Sequence, residues 1–311
     1  MSKQKLLTIC LPTYNRAKYL KMQLERFSSM PQELWQDIRI FISDNCSTDN
    51  TQSIGNEYSG KEGVDIVYHR NESNLGMDGN FVTCFKAAKT RYVWLLGDDD
   101  TIIIERLPLV VNMLKGPNLG VLHLGINRNA KKDYYKDEDA EHFIKEIGIW
   151  ITYISSNIVN TKYVDEVEFD KYYGTFFTLM PVYLKAILGE QINCMFNLRI
   201  FEDGKDVKRN GGYNYIQVFV NNYLSIFKEF VDNGEISEVL YMYEEEVSFN
   251  FVMPYLLDYV VLGRESNYIK TGSWSIMFRQ YGLYKTCWGF IVYILKRVLS
   301  KVKNTFGFSK K

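Results

Sequence analysis

Histidine is scarce in this 311-residue chain: His69, His123 and His142 are the only three, and no two stand at HxH or HxxxH spacing. That argues against a zinc enzyme of the usual kind and against a Ser-His-Asp hydrolase with a recognisable nucleophile elbow. Cysteine is equally thin. Cys10, Cys46, Cys84, Cys194 and Cys287 are odd in number, far apart and without a CxxC pair. The pattern suits a reducing compartment, with each thiol packed or idle. No stretch reaches 18 uninterrupted apolar residues, so no transmembrane helix is expected. The opening MSKQKLLTICLPTYNR has only a seven-residue apolar run interrupted by proline and does not read as a signal peptide. Neither GxGxxG after a strand nor GxxxxGK[ST] occurs, so dinucleotide and P-loop chemistry lose support.

What is present is an ordinary globular composition, 46% hydrophobic and 24% charged, in a chain long enough for one two-part domain or two domains. Lys plus Arg and Asp plus Glu both total 37, which argues against a general nucleic-acid binder. The balance hides an asymmetry. Residues 268–311 hold nine Lys/Arg and no Asp or Glu, so the first 267 residues carry about −9 and the tail about +9.

The first third alternates between strand and helix periods. Apolar runs at 6–11, 38–43, 64–69, 92–96 and 120–125 read as buried strands, with helices near 17–29, 49–58, 80–89 and 104–115 between them. Ser47 or Thr48 is the expected cap of the second helix. Continuous apolar strands alternating with helices imply a mainly parallel sheet covered on both faces, with ligands at the carboxyl ends of its strands. The polar clusters at 13–16, 44–49, 71–80 and 98–100 fall at those ends. Further on, helices are expected near 138–147, 179–189 and 214–232, and a strand over 151–160. The chain divides on this reading into 1–125, 126–255 and a basic, aromatic 256–311.

Asp98-Asp99-Asp100 is the sharpest feature. Three carboxylates after a buried strand repel one another unless something positive joins them, and a hard divalent cation with a diphosphate does so. The plainer alternative is a solvated acidic turn capping the next helix. Tyr14, in the turn Pro12-Thr13-Tyr14-Asn15, is placed to stack on a nucleobase, with Thr13 near the base edge. Asp44 and Asn45 are placed to read a pyrimidine N3–H or ribose hydroxyls. The loop Asn74-Leu75-Gly76, with Gly79 and Asn80, suits a tight backbone near a phosphate or sugar. Taken singly, each of these is also ordinary turn chemistry.

Together these residues resemble family 2 of the nucleotide-sugar glycosyltransferases. The matching pieces are LTICLPTYNRAKYL (7–20), FISDNCSTDNT (41–51), NESNLGMDGNF (71–81) and YVWLLGDDD (92–100), in order and at the right spacing. The segment ISSNIV (154–159) resembles the subgroup containing O-antigen transferases such as abequosyltransferases. The resemblance implies an α/β GT-A (Rossmann-like) fold with a mixed acceptor-side half and a C-terminal helical tail. It also implies a nucleotide-diphosphate-sugar donor, Mn²⁺ or Mg²⁺, and inversion at the anomeric carbon. Pro12, Tyr14, Asp44 and Asn45 would line the nucleoside pocket, and Asp98, Asp99 and Asp100 would fill the DXD role. The chain departs from the family twice. Asn45 stands where a second acidic residue is usual, and GDDD replaces DxDD; the last two aspartates fit the metal best. The base is expected from Glu202, Asp203 or Asp170.

The run 286–299 (TCWGFIVYILKRVL), flanked by Lys and Arg, is too short to span a bilayer. It reads as an interfacial helix on anionic lipid or as a core-packed helix with a basic end. The expected enzyme works peripherally on the cytoplasmic membrane face, on a lipid-linked oligosaccharide of a surface polysaccharide. The rivals are a non-catalytic sugar-binding or adaptor protein of the same fold, and a nucleotidyltransferase. An intact DDD argues against the first. The second would show a glycine-rich, basic first loop, which Leu11-Pro12-Thr13-Tyr14 is not.

Overall fold

A computed structural model describes residues 5–125, 134–202 and 212–305, with side chains through 300. The chain forms two compact units, Met1–Lys205 and Asp206–Lys311.

The first unit opens with β1 (Leu7–Thr13), α1 (Ala17–Ser28), β2 (Ile38–Asp44), α2 (Thr51–Ser59), β3 (Ile66–Arg70), α3 (Gly76–Ala87) and β4 (Tyr92–Leu95). It continues through α4 (Leu107–Leu114), β5 (Val121–Leu124), β6 (Tyr134–Asp137), α5 (Ala140–Ile147), β7 (Asn157–Asn160), α6 (Met180–Gly189) and β8 (Asn193–Phe196). All eight strands join one sheet in the order β3-β2-β1-β4-β7-β5-β8-β6. The pairs β1–β2, β1–β4, β2–β3 and β5–β8 are parallel; β4–β7, β5–β7 and β6–β8 are antiparallel. The amino-terminal half of the sheet is thus parallel, as expected, and the half beyond β4 is mixed.

Every residue of β1 and β4 is buried, which is why both read as unbroken apolar runs. Pro12 is tolerated in a central strand because the ladder to β4 ends at Cys10, paired with Leu95. Trp94, fully buried, packs edge-on to Phe201 and donates from Nε1 to the Ser155 carbonyl at 2.8 Å.

Two local expectations are corrected. The segment 151–160 is a strand only from Asn157; before it run two short 3₁₀ turns, Gly148–Thr152 and Ile154–Ser156. Their polar side chains bond the local backbone instead of leaving it to a ladder. Thr152 Oγ1 donates to the Ile149 carbonyl (2.7 Å), Ser156 Oγ to Tyr153 (2.7 Å) and Asn157 Nδ2 to Ile151 (2.9 Å). The α2 entrance is held by Asp49, not by Ser47 or Thr48. Asp49 Oδ1 accepts from Thr51 N at 3.0 Å, and its Oδ2 accepts from Ala17 N, at the start of α1, at 3.1 Å.

The second unit is helical among its described residues. A π-turn (Gln217–Asn222) leads into α7 (Tyr223–Asp232), followed by α8 (Glu238–Tyr255), a second π-turn (Leu256–Val261), α9 (Ser273–Tyr281) and α10 (Leu283–Thr305). One face of α10 packs within this unit. A Cβ at Gly289 would fall 2.4 Å from the Phe249 ring, Phe290 meets Trp274 edge-on, and Arg297 pairs with Asp258 at 3.0 Å. The other face is bare. Tyr284, Trp288, Ile291, Leu295 and Val298, at helical spacing, stand 48–81% exposed. Among the described residues no helix is long and apolar enough to cross a membrane.

Candidate functional site

The carboxyl ends of β1, β2 and β4 converge on a cavity of about 390 Å³. Pro12, Thr13, Tyr14, Asn45, Asn74, Gly76, Asn80, Asp98 and Asp99, all expected at the site, line it together. Tyr14 presents an exposed ring at its mouth. The loop 71–76 is held by amide pairing. Asn45 Nδ2 donates to Asn74 Oδ1 (2.7 Å) and the Gly76 carbonyl (3.0 Å), while Asn45 Oδ1 accepts from Leu75 N (2.9 Å). Asn80 Oδ1 accepts from Ser43 Oγ at 2.6 Å. Asn45 and Asn80 therefore spend their amides on holding the loop.

Three expected residues support the wall instead of lining it. Asn15, at φ 53°, accepts from Thr48 N at 2.7 Å and fixes the turn after β1. Asp44 is fully buried and accepts from Tyr68 Oη (2.5 Å) and Ser47 N (2.9 Å). Asp100 turns inward, its Oδ1 accepting from Tyr153 Oη at 2.8 Å and its Oδ2 from Ser155 Oγ. Gly97 makes this turn possible: a Cβ there would lie 2.8 Å from Asp100 Oδ2.

Asp98 and Asp99 share a cation, the guanidinium of Arg16. Arg16 Nε lies 3.1 Å from Asp98 Oδ1, and Arg16 Nη2 lies 2.9 Å from Asp99 Oδ2. Thr13 Oγ1 donates to Asp98 Oδ2 at 3.1 Å. Burial is the main force lifting the Asp98 carboxyl from its ordinary 3.8 to about 7; Arg16 opposes it and Asp99 adds to it. Burial likewise raises Asp100, against the hydroxyls of Ser155 and Tyr153. Burial pulls Arg16 down, but Asp98 and Asp99 outweigh it and hold the guanidinium above its ordinary value.

The Asp98 shift has a testable sign. Its ionised form weighs against the folded, metal-free protein, a cost absent below 3.8 and complete above about 7. Lowering the pH from about 8 to about 5 should therefore stabilise wild type relative to Asp98→Asn by up to about 3 kcal/mol. Equal pH dependence of the two melting curves would show that Asp98 titrates normally.

Among the described residues no three His, Cys, Asp or Glu side chains converge as a ready-made metal site. The donor set still suits a hard cation. Two carboxylates already drawn to one positive group, in a cavity open to a diphosphate, are the partial shell that Mg²⁺ or Mn²⁺ accepts.

Two of the expected bases, Glu202 and Asp170, do not line the cavity. Glu202 turns to Arg26, its Oε1 and Oε2 accepting at 3.1 and 3.3 Å. Such a fork satisfies the carboxylate in this arrangement. Asp170 is exposed on the 3₁₀ turn Phe169–Tyr172, outside the cavity lining. Asp203 lies outside the described residues.

A second cavity, of about 270 Å³, opens at the end of β5 and is lined by His123, Glu146, Trp150, Tyr153 and Met195 among others. Tyr153, in its wall, bonds Asp100, which braces the acidic turn behind the first cavity. Burial pushes His123 down to about 4, so it is neutral. Asn157 gives both amide protons to backbone carbonyls, so its Oδ1 accepts from His123 Nδ1 at 2.8 Å. Sequence reading missed Arg16, Tyr153, Ser155 and this second cavity.

The family model described as glycosyl transferase family 2 matches residues 8–177, more than half of the chain. The chain belongs to glycosyl transferase family 2. Over 195 residues it is 29% identical to the abequosyltransferase RfbV of Salmonella typhimurium, a match covering 55% of this chain and 57% of RfbV. The chain thus spans little more than half the length of that curated relative. Among solved structures, S. aureus TarS 1-349 in complex with UDP-GlcNAc superposes with a TM-score of 0.56 at 16% identity, over 84% of this chain and 76% of TarS. The mannosyltransferase PcManGT from Pyrobaculum calidifontis, in complex with GDP-Man and Mn²⁺, superposes with a TM-score of 0.53 at 12% identity, over 99% of this chain and 89% of its own. These likenesses bear out the expected GT-A fold.

Proposed function

We propose that the chain is an inverting glycosyltransferase that moves a sugar from a nucleotide-diphosphate donor onto a lipid-linked oligosaccharide of a surface polysaccharide. The observation that carries this reading is the Asp98–Asp99 pair facing a cavity whose other wall is the Pro12–Tyr14 turn. Tyr14 stacks on the base, the loop 74–76 borders the ribose or phosphate, and Asp98 and Asp99 hold a divalent cation. That cation, when bound, neutralises the leaving diphosphate. The likeness to RfbV, TarS and PcManGT supports a nucleotide-sugar donor and a metal.

The rest of the work falls to the chain itself. Burial of Asp98 keeps its charge poorly hydrated until a cation arrives. Tyr153 and Ser155 fix the turn that carries Asp98 and Asp99. The second cavity, beyond Tyr153, receives the sugar being built upon, with the half-exposed Trp150 as its platform. Trp150→Ala should raise the acceptor KM about 5–30-fold, the worth of about 1–2 kcal/mol of buried ring, and leave the donor KM alone. An unchanged acceptor KM would move the acceptor elsewhere. Asp203 keeps the role of base in this reading, taking the proton of the attacking hydroxyl. Glu202 N donates to the Thr101 carbonyl at 2.8 Å, so the chain returns beside the acidic turn just before residue 203.

The bare face of α10, in a tail with nine Lys/Arg and no acid, supports peripheral binding to the anionic cytoplasmic face of the membrane. Removing the tail would take Gly289 from Phe249 and Arg297 from Asp258, so the test uses the full chain. Trp288→Glu with Ile291→Glu should abolish flotation with anionic liposomes while melting is unchanged. Flotation equal to wild type would show that this face does not touch lipid.

The direct test of the transfer reading is a panel of UDP-, GDP-, CDP- and dTDP-linked sugars, incubated with the full chain, Mn²⁺ and a bacterial lipid extract. One donor class should yield nucleoside diphosphate and a glycosylated lipid. Intact donors throughout the panel would favour the non-catalytic binding protein.

A further inference from the structure

The acidic pair at the site already has a cation, and it belongs to the chain. Arg16 lies between the two carboxylates, 3.1 Å from Asp98 Oδ1 and 2.9 Å from Asp99 Oδ2. This is not the two-pronged grip of arginine on a single carboxylate. The Nε contact is close but off line, so Nε makes no hydrogen bond although it is buried. The guanidinium also lies over the Tyr19 ring, 4.6 Å from its centre. Its backbone is fixed, because Asn15 and Ala17 on either side are held by Ser47 and Asp49. The long side chain above that fixed stem is what remains free to turn.

A divalent cation on Asp98 and Asp99 would sit against the two carboxylates that Arg16 now neutralises, one oxygen of each already facing the guanidinium and Asp98 Oδ2 taken by Thr13. Two cations that close together repel strongly in a half-buried site. Arg16 must therefore leave before a metal can enter, and a guanidinium leaving one anion needs another. A diphosphate in the same cavity supplies it, since Arg16 is part of the cavity wall.

We propose that Arg16 is the resident counter-ion of Asp98 and Asp99, and that it yields them to the metal only when a nucleoside diphosphate gives its guanidinium a new partner. Metal and donor then enter together. This rests on the reading of Asp98 and Asp99 as metal ligands. Two consequences follow from linkage. The free protein binds Mn²⁺ poorly, and diphosphate and Mn²⁺ each tighten the binding of the other by the same factor.

The test counts bound Mn²⁺ by loss of the free-ion EPR signal, on the full chain, without turnover. In the absence of nucleotide, Arg16→Gln should bind Mn²⁺ at least about tenfold tighter than wild type, within the usual 5–150-fold range of coupling between sites. Arg16→Lys, which keeps the charge, should bind it as weakly as wild type. Arg16→Met serves as a second neutral variant should the glutamine protein melt early. Adding UDP or, separately, GDP, read against a blank of nucleotide and Mn²⁺ without protein, should tighten Mn²⁺ binding to wild type by a clearly larger factor than to the neutral variants, which keep only the coupling through the diphosphate's own oxygens. Neutral variants that bind Mn²⁺ no tighter than wild type would overturn the proposal, as would an undiminished nucleotide effect in them. Failure of the metal reading looks different: wild type and neutral variants alike bind no Mn²⁺ with either nucleotide, or Asp98→Asn with Asp99→Asn binds it as wild type does.

Discussion

Asp98→Asn combined with Asp99→Asn should lower transfer by at least about 10³-fold while leaving the chain folded. Charge stabilisation by a metal at a leaving diphosphate is worth several kcal/mol, and each 1.4 kcal/mol is about tenfold in rate. Asparagine keeps the shape of the turn and its hydrogen-bonding oxygens but cannot neutralise a cation. Removing charge from the buried Asp98 relieves its burial cost and its repulsion with Asp99, while Arg16 loses its two counter-ions; the two effects oppose, so the double variant should stay folded with only a modest change in melting point. The comparison that isolates the effect is Asp100→Asn. Asp100 spends both oxygens on Tyr153 and Ser155, so its loss should show as reduced stability and a displaced turn. A double variant that retains most of its activity would leave the acidic turn as a helix-capping feature and no more.

Asp44→Ala should be the most destabilising change among the expected nucleoside-pocket residues. Asp44 is fully buried and holds the Tyr68 hydroxyl and the Ser47 amide, with Arg70 Nε 3.8 Å away. Each buried donor left without an acceptor costs about 1–3 kcal/mol, so a loss of about 2–4 kcal/mol is expected. A lower urea midpoint at unchanged slope would report it. Loss of donor binding with an unmoved midpoint would make Asp44 a ligand contact, as the sequence alone suggested, and not the brace of the β2 end.

The parallel half of the sheet was legible because β1, β2 and β4 are buried on both faces. Runs such as LTICL and YVWLL carry no alternation to misread, and the polar clusters that follow them mark the ligand edge. The mixed half was legible only in part, β5 falling on the expected 120–125. β6 and β8 are four residues each, too short to show a period, and β7 begins only after local side-chain bonds release the backbone. α8 was hidden by Glu244-Glu245-Glu246 inside an apolar helix, where one face packs and another meets Lys285 and Gln280.

The site was legible as a set of strand ends and not as a set of pairings. Thr13 and Asp98 stand 85 residues apart in sequence, and Arg16 is as far from its two aspartates. Nothing local in LPTYNR says what its arginine faces. The one available signal was charge: a guanidinium in the turn after β1, at the same sheet edge as three carboxylates, has an obvious partner. Glu202 shows the same limit, since its partner Arg26 lies 176 residues away and nothing local in the sequence joins the two.

The most direct measurement is thermal unfolding of wild type and the Asp98→Asn, Asp99→Asn variant with a panel of nucleotide-sugars, each with and without Mn²⁺. A ligand that binds only the folded state raises the melting point by mass action, about 2.7 kcal/mol of stabilisation at a hundredfold excess over Kd. One donor class should stabilise wild type, more strongly with Mn²⁺ than without, and the metal increment should vanish in the variant. The same increment in both proteins, or none for any donor in wild type, would contradict a nucleotide-sugar held through a metal on Asp98 and Asp99.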